Sequence, residues 1–296
     1  MTGLSLNNEE IALPAGAWAA SVRKMIYLAD RPLVGFTQGA LRPYLFPVFT
    51  PQGFAVTSES PADHPHHQSI WVAADHVNLH VPAAGGVEVY SYNFYVNEVF
   101  QGRAPGRIEE QSFHATVHAD HATIEQVMQW RGPREWGASQ GREILLERRT
   151  TQIKVDPKDS VITLDICSQL RAPGHRVSIG PTRHAWFNLR VGPGMGQQHG
   201  GTLRQGSRAG RQGPADWHGC TAPVGAGHKA TLVLAPDASQ HGHDWYVSPW
   251  GVITANPCRN ASLEIPEQGP PVELKARLLI ADGSPSDDQI AAWLEP

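Results

Sequence analysis

Short apolar runs broken by turn residues are the feature that most limits what this chain can fold into. Alternating apolar and polar stretches end repeatedly in Gly, Pro, Asn or Asp clusters, and 29 Gly with 24 Pro in 296 residues supply turns at a density suited to many strands. Ile162, Leu164, Ile166, Ser168 and Leu170 fall on one face of a strand between Ser160 and Leu170. Leu274, Ala276, Leu278 and Ile280 repeat the pattern near the C-terminus. Ile153 and Val155 alternate with Gln152 and Lys154. Residues 87–96 (VEVYSYNFYV) are rich in β-formers, and Ala230–Leu234 and Trp250–Ala255 are further strand candidates. The one helix signal is Ser284-Pro285-Ser286-Asp287 ahead of Gln289–Leu294, with Ser284 as the cap, Pro285 at the first helical position and Asp287 completing a capping box.

The length would accommodate two domains at about 150 residues each. No internal repeat, long linker or charge block divides the chain, so residues 1–296 read as one all-β domain of two packed, mainly antiparallel sheets with a short C-terminal helix. Gln197–Gly213 reads as a long surface loop, with Asp216-Trp217-His218 as its rim. No run of about 18 apolar residues is present, so no membrane span is expected. A net charge of −4 disfavours nucleic acid as a partner. Cys167, Cys220 and Cys258 are few and widely spaced, which is not a disulfide framework. The N-terminal stretch lacks a basic region followed by an apolar core, so no signal peptide is expected and the cytoplasm is the default compartment.

Fifteen His are the compositional outlier. Three of them lie in Asp63-His64-Pro65-His66-His67-Gln68-Ser69-Ile70-Trp71. If that segment is extended, His64 and His66 share a face and His67 points the other way. Imidazoles so placed serve as general acids or bases, as metal ligands (His64 and His66 being the candidates), or as parts of a polar turn; the spacing leaves the three open. A second stretch, Gly180–Val191, separates into an apolar face (Ala185, Phe187, Leu189, Val191) and a polar one (His184, Trp186, Asn188, Arg190). An indole beside fixed donors and acceptors suits a sugar-like ligand. A third, His243–Pro257, places Trp250, Val252, Thr254 and Asn256 on one face, and the Asn256 amide serves as a ligand contact or a turn cap. Arg42 reads as an anion contact or a surface residue. His76, His80, His218, His241 and His243 read as mostly solvated. No phosphate-binding loop, GxSxG elbow or dinucleotide fingerprint appears.

The series RPYLFPVFTPQG, DHPHHQSIWVAADHVN, ILLERRT, HAWFNLRV and WYVSPWGVITANP resembles the PmoA-like family, whose inherited "methane oxygenase" label does not suit a chain without a spanning segment. TRHAWFNL is more distantly similar to the segment around a catalytic His of the galactose mutarotase / aldose 1-epimerase family. That similarity implies a galactose-mutarotase-like β-supersandwich with His184 as a general acid. It also implies a carboxylate base on a late strand, where this chain has Glu264 and Glu267 in a different context.

The expectation is a carbohydrate-active enzyme acting on a sugar or oxidised sugar as an epimerase, lyase or hydrolase. His64, His66, His67 and His184 would be catalytic, and Asp63, Trp71, Trp186, Asn188, Arg190 and Asn256 would bind substrate. No cofactor is required by this reading. The alternatives are a metal-dependent oxygenase or hydrolase using a divalent ion at His64 and His66, and a non-catalytic sugar-binding module. The expected partner is a small carbohydrate-like molecule, with neither nucleic acid nor membrane, and the sequence sets no oligomeric state.

Overall fold

A computed structural model describes residues 3–7, 22–135, 138–156, 158, 160–206, 215–237 and 243–295. The described residues form an all-β sandwich with one C-terminal helix. The first sheet has eight antiparallel strands, in the spatial order Leu4–Asn7, Val22–Leu28, Arg31–Gln38, Pro43–Val48, Ile70–Ala74, Ala185–Arg190, Val252–Asn256 and Asp244–Val247. The second, also eight-stranded and antiparallel, runs Thr202–Gly206, Trp217–Gly225, His228–Pro236, Val272–Asp282, Val161–Arg171, Glu143–Asp156, His121–Arg131 and Arg107–Val117. To the two expected sheets the structure adds a third of five short strands, Leu263–Ile265, Val177–Ile179, Val77–Ala83, Gly86–Asn93 and Ala104–Pro105, the last pair parallel.

One apolar core joins all three sheets. Ile162, Leu164, Ile166 and Leu170 enter it with Leu274, Ala276, Leu278 and Ile280, as the alternation requires, and meet Ile70, Val72, Phe187, Leu189 and Ile253 of the first sheet. Val77, Leu79, Val177 and Ile265 bring in the third. Non-directional burial of this kind drives the packing, and the tilted Phe94–Trp130 pair carries it toward the face where the site lies.

Four expectations are corrected. The helix spans Asp287–Leu294 and its cap is Ser286 rather than Ser284. The Ser286 hydroxyl accepts from the Gln289 amide (3.2 Å) and the Gln289 side chain accepts from the Ser286 amide (2.9 Å), a reciprocal pair that Ser284 and Asp287 do not form. The expected Gln197–Gly213 loop contains the edge strand Thr202–Gly206; residues 207–213, like His241, lie outside the described residues. Trp217 forms no rim: it is buried with Val233, Leu279, Ile290 and Leu294, where the helix covers the second sheet.

Trp186 is the fourth. Asn188 and Arg190 keep to the polar side of their strand, but Trp186 turns inward, is 0% exposed, and stacks on Trp130 of the second sheet at 5.3 Å with the rings 6° apart. The gap between the sheets takes an aromatic of this volume, and the expected alternation fails at the first two strand residues, which both enter the core. Trp186→Ala should therefore cost about 3–5 kcal/mol of stability in urea unfolding, whereas a solvent-face ligand platform would lose no more than about 0.5 kcal/mol.

Candidate functional site

Asp75 is where the chain leaves the first sheet, after Ile70–Ala74, and enters the third at Val77. Its carboxylate is buried and gathers three donors from two segments. Thr182 donates its hydroxyl to Oδ1, His184 Nδ1 lies 3.0 Å from Oδ2, and Arg103 Nη2 donates to Oδ2 at 3.3 Å. Thr182 Oγ1 in turn accepts from the His184 amide at 3.0 Å, fixing the ring's backbone. Burial opposes the charge on Asp75, but the hydrogen bonds from His184 and Thr182 hold its pKa below the ordinary carboxylate value. A carboxylate only accepts, so His184 Nδ1 carries the proton. Arg183 Nε, which only donates, reaches His184 Nε2 at 3.1 Å; the ring is therefore the neutral tautomer with a basic Nε2.

The same cleft holds a second Asp–His pair. Residues 61–67 are not extended as expected: two tight turns (His64 N to Pro61 O, 3.0 Å; His67 N to His64 O, 2.9 Å) fold the three imidazoles together. His64 Nδ1 meets Asp63 Oδ2 at 3.0 Å, and Arg190 Nη2 grips both Asp63 oxygens at 3.1 and 2.9 Å. Partial burial is outweighed by these bonds, and Asp63 is held down to about 2. His64 stacks on Trp250 (4.5 Å) and on His67 (4.7 Å), His67 stacks on Trp71 (5.3 Å), and His66 stands edge-on to both His64 and His67. Gly251, at φ +96°, turns the chain that presents Trp250; a Cβ there would lie 2.3 Å from Val191.

Burial, reinforced by Arg42, pushes His66 down to about 4, and burial with the neighbouring His66 and His64 pushes His67 to about 2. Both are neutral at physiological pH. Arg42 itself is fully buried, neither at the surface nor open to a ligand. It donates to the carbonyls of Phe94 (2.6 Å), Tyr95 (3.0 Å) and His66 (2.5 Å), and burial lowers its pKa to about 10, so it stays charged.

The two Asp–His pairs open onto one cleft of about 250 Å³, lined by His64, His66, His67, Asp75, Tyr95, Glu98, Phe100, Arg183, His184, Tyr246, Trp250 and Thr254 among others. All four expected catalytic imidazoles thus meet there. The expected binding residues divide. Asp63 and Arg190 brace His64. Trp71 backs His67 from beneath and is 1% exposed. Asn188 is a buried bracket whose Oδ1 accepts from Thr254 Oγ1 (2.9 Å) and Tyr95 OH (3.4 Å). Asn256 is no ligand contact: its amide donates to Thr182 O (2.7 Å) and accepts from Cys258 N (2.7 Å), which leaves it capping the turn that carries Thr182. The indole at the cleft is Trp250, not Trp186. The late carboxylate Glu264 sits on the third sheet against Arg176, and the carboxylate of the site is Asp75.

Sequence reasoning missed Asp75, Tyr95, Thr182 and Arg183. Asp75 carried a readable signal, an acidic residue directly after the apolar run Ile70–Ala74. For the metal alternative, the imidazoles stack face to face or edge to face, and among the described residues no group of three or more His, Cys, Asp or Glu side chains is arranged to hold an ion. A larger hollow of about 400 Å³ on the second sheet has its charges paired, Arg277 with Asp165 and Lys275 with Glu273, and burial raises its Cys167 thiol to about 11.

Neutral burial of His66 and His67 has a pH consequence. The unfolded chain takes up protons on these rings below about 6.5 and the folded chain does not until about 4 or lower, so stability is lost as pH falls through that window. The urea midpoint should drop between pH 7 and pH 4.5, above the carboxylate range, and drop less in His66→Gln.

Among the described residues no helix is long and apolar enough to cross a membrane. No curated protein matches the chain. Residues 26–295 match the family described as "Family of unknown function (DUF6807)". Neither a PmoA-like nor an aldose 1-epimerase family is identified, which overturns both expected resemblances. With the match running over nearly its whole length, the chain belongs to the DUF6807 family.

Proposed function

We propose that the cleft is the active site of an enzyme that moves protons on a small, sugar-like substrate. The observation that carries this reading is the presence of two Asp–His dyads, Asp75–His184 and Asp63–His64, whose imidazoles line one cleft. In each, Nδ1–H is committed to a carboxylate and Nε2 is the nitrogen that exchanges a proton with substrate. His184 Nε2 takes a proton from a hydroxyl or from a carbon beside a carbonyl, and the imidazolium so formed is stabilised by the buried Asp75. His64 enters the step as the imidazolium, with Nδ1–H on Asp63 and a second proton on Nε2, gives that Nε2 proton to the substrate and ends neutral. The neutral His66 and His67 keep charge away from the ring that must become cationic, and Tyr95 and Thr254, held by Asn188, offer hydroxyls to the substrate.

Two properties favour a sugar-like molecule. The lining combines aromatic rings (Phe100, Tyr246, Trp250) with hydrogen-bonding groups, which matches a ring with an apolar face and hydroxylated edges. The volume suits one or two rings. Such a pair of acid–base groups serves ring opening, epimerisation beside a carbonyl, or elimination from an oxidised sugar. The three cysteines are unpaired, which agrees with the cytoplasm as its compartment.

Incubating the purified protein in D2O with reducing sugars and sugar acids, followed by NMR, should show anomeric exchange, deuterium uptake beside a carbonyl, or a new product for one class. Folded His184→Ala and Asp75→Asn should each lose about 10²–10⁴-fold in kcat. Full turnover by folded His184→Ala would sink the mechanism. Unchanged sugar recovered from a tight complex would make the chain a binding module, and stoichiometric metal lost on His66→Ala would make it a metalloenzyme.

A further inference from the structure

Four guanidinium groups lie at or near the cleft, and among the described residues only two have a carboxylate. Arg190 is matched by Asp63 and Arg103 by Asp75. Arg42 is fully buried, takes only backbone carbonyls, keeps its Nε without a partner, and among the described residues no carboxylate pairs with it. Arg183 is exposed at the mouth, and it donates to the neutral His184 ring. The neighbouring anions are Asp75 and the exposed Glu98 in the lining, and Asp63 beside His64. The balance is positive by one charge, and the unmatched part is buried where solvent screens it least. That field reaches the cleft: Arg42 is, after burial, the largest influence holding His66 neutral.

Resting on the acid–base reading of this cleft, we propose that its substrate is a sugar acid, a uronate or aldonate, whose carboxylate pairs with Arg183 and draws that side chain off His184 Nε2. The guanidinium that reads the anion is also the cap on the base. As the cleft stands, Arg183 Nε occupies the lone pair at 3.1 Å. A carboxylate is the better partner, because a charge-assisted, two-pronged bond to guanidinium is stronger than a single bond to a neutral imidazole. The base is thereby uncovered only when an anionic substrate is present. Arg42, too deep to touch the ligand, makes the cleft electropositive and penalises cations.

The test is binding, read apart from turnover. Galacturonate and glucuronate, titrated calorimetrically against galactose and glucose, should bind roughly ten- to a hundredfold tighter than the neutral sugars. The preference should shrink at high ionic strength and fall to within about threefold in Arg183→Gln, an exposed position where the fold is retained. In wild-type protein the Nε2 nitrogen resonance of His184 should move on adding galacturonate in the direction that Arg183→Gln moves it without ligand. Equal or weaker binding of uronates, a preference untouched by Arg183→Gln, or an unmoved Nε2 resonance would each overturn the proposal. Neutral-sugar turnover alongside any of these would leave the acid–base reading standing. Tight uronate binding without turnover would instead keep the anion recognition and remove the acid–base chemistry, and binding of neither class would remove both.

Discussion

The site depends on one carboxylate buried at the junction of two sheets. Asp75 is 3% exposed at its side chain, and an isolated charge so placed would cost several kcal/mol. It is tolerated because Thr182 and His184 from one stretch of chain and Arg103 from another donate to it, and because its amide donates to His184 O at 3.2 Å, tying the backbone at Asp75 to that at His184. Removing the carboxylate would take the acceptor from Thr182 and His184 at once and leave Arg103 with Gln101 and His76. Stability and orientation of the imidazole are therefore the same interaction: the contacts that stabilise a buried Asp75 also fix the His184 tautomer.

The opposite wall is organised by a cation instead. Arg42 draws together the carbonyls of Phe94, Tyr95 and His66, and lies over the rings of Trp71 and Tyr95 at 5.8 and 5.7 Å. It joins the histidine turn to the segment after Asn93, whose side chain accepts from the Tyr95 and Val96 amides at 2.8 and 3.1 Å. Phe94 points the other way, onto Trp130 and so onto Trp186. The Phe94–Tyr95 backbone thus joins two aromatic clusters, one in the core and one at the cleft, and the imidazole stack packs on the second through Trp71, Tyr95 and Trp250.

How much of this the sequence disclosed follows from the range of each interaction. Strands with unbroken alternation, Val161–Arg171 and Val272–Asp282, are legible because periodicity is local. The convergence of His64, His66, His67 and His184 is legible as chemistry, since these residue types are rare outside sites at such density. Their geometry is not: Pro65 argues for an extended segment, but the turns at Pro61–His67 are held by Arg42 and Arg190 from 24 and 127 residues away. Trp186 misleads for a similar reason. Alternation assigns a face only while the strand is regular, and the volume that Trp130 offers across the sheets is invisible in a one-dimensional pattern. Asp75 and Arg183 escape notice because each looks ordinary alone; what distinguishes them is the partner each meets in space.

The two dyads also differ in a way that assigns them separate tasks. Asp75 is sealed by donors, so the imidazolium of His184 would face a carboxylate that water screens little. Asp63 is 46% exposed at its side chain and shares its charge with Arg190, so a positive His64 would gain less from it. His64 is further confined between the stacked rings of Trp250 and His67, whereas His184 meets Tyr95 tilted at 5.2 Å and Phe100 edge-on at 6.3 Å. The more strongly stabilised cation belongs on the residue that accepts the proton, and the weakly compensated one on the residue that gives it up. That asymmetry, set by burial rather than by residue type, is what makes His184 the base and His64 the acid in the proposed reaction.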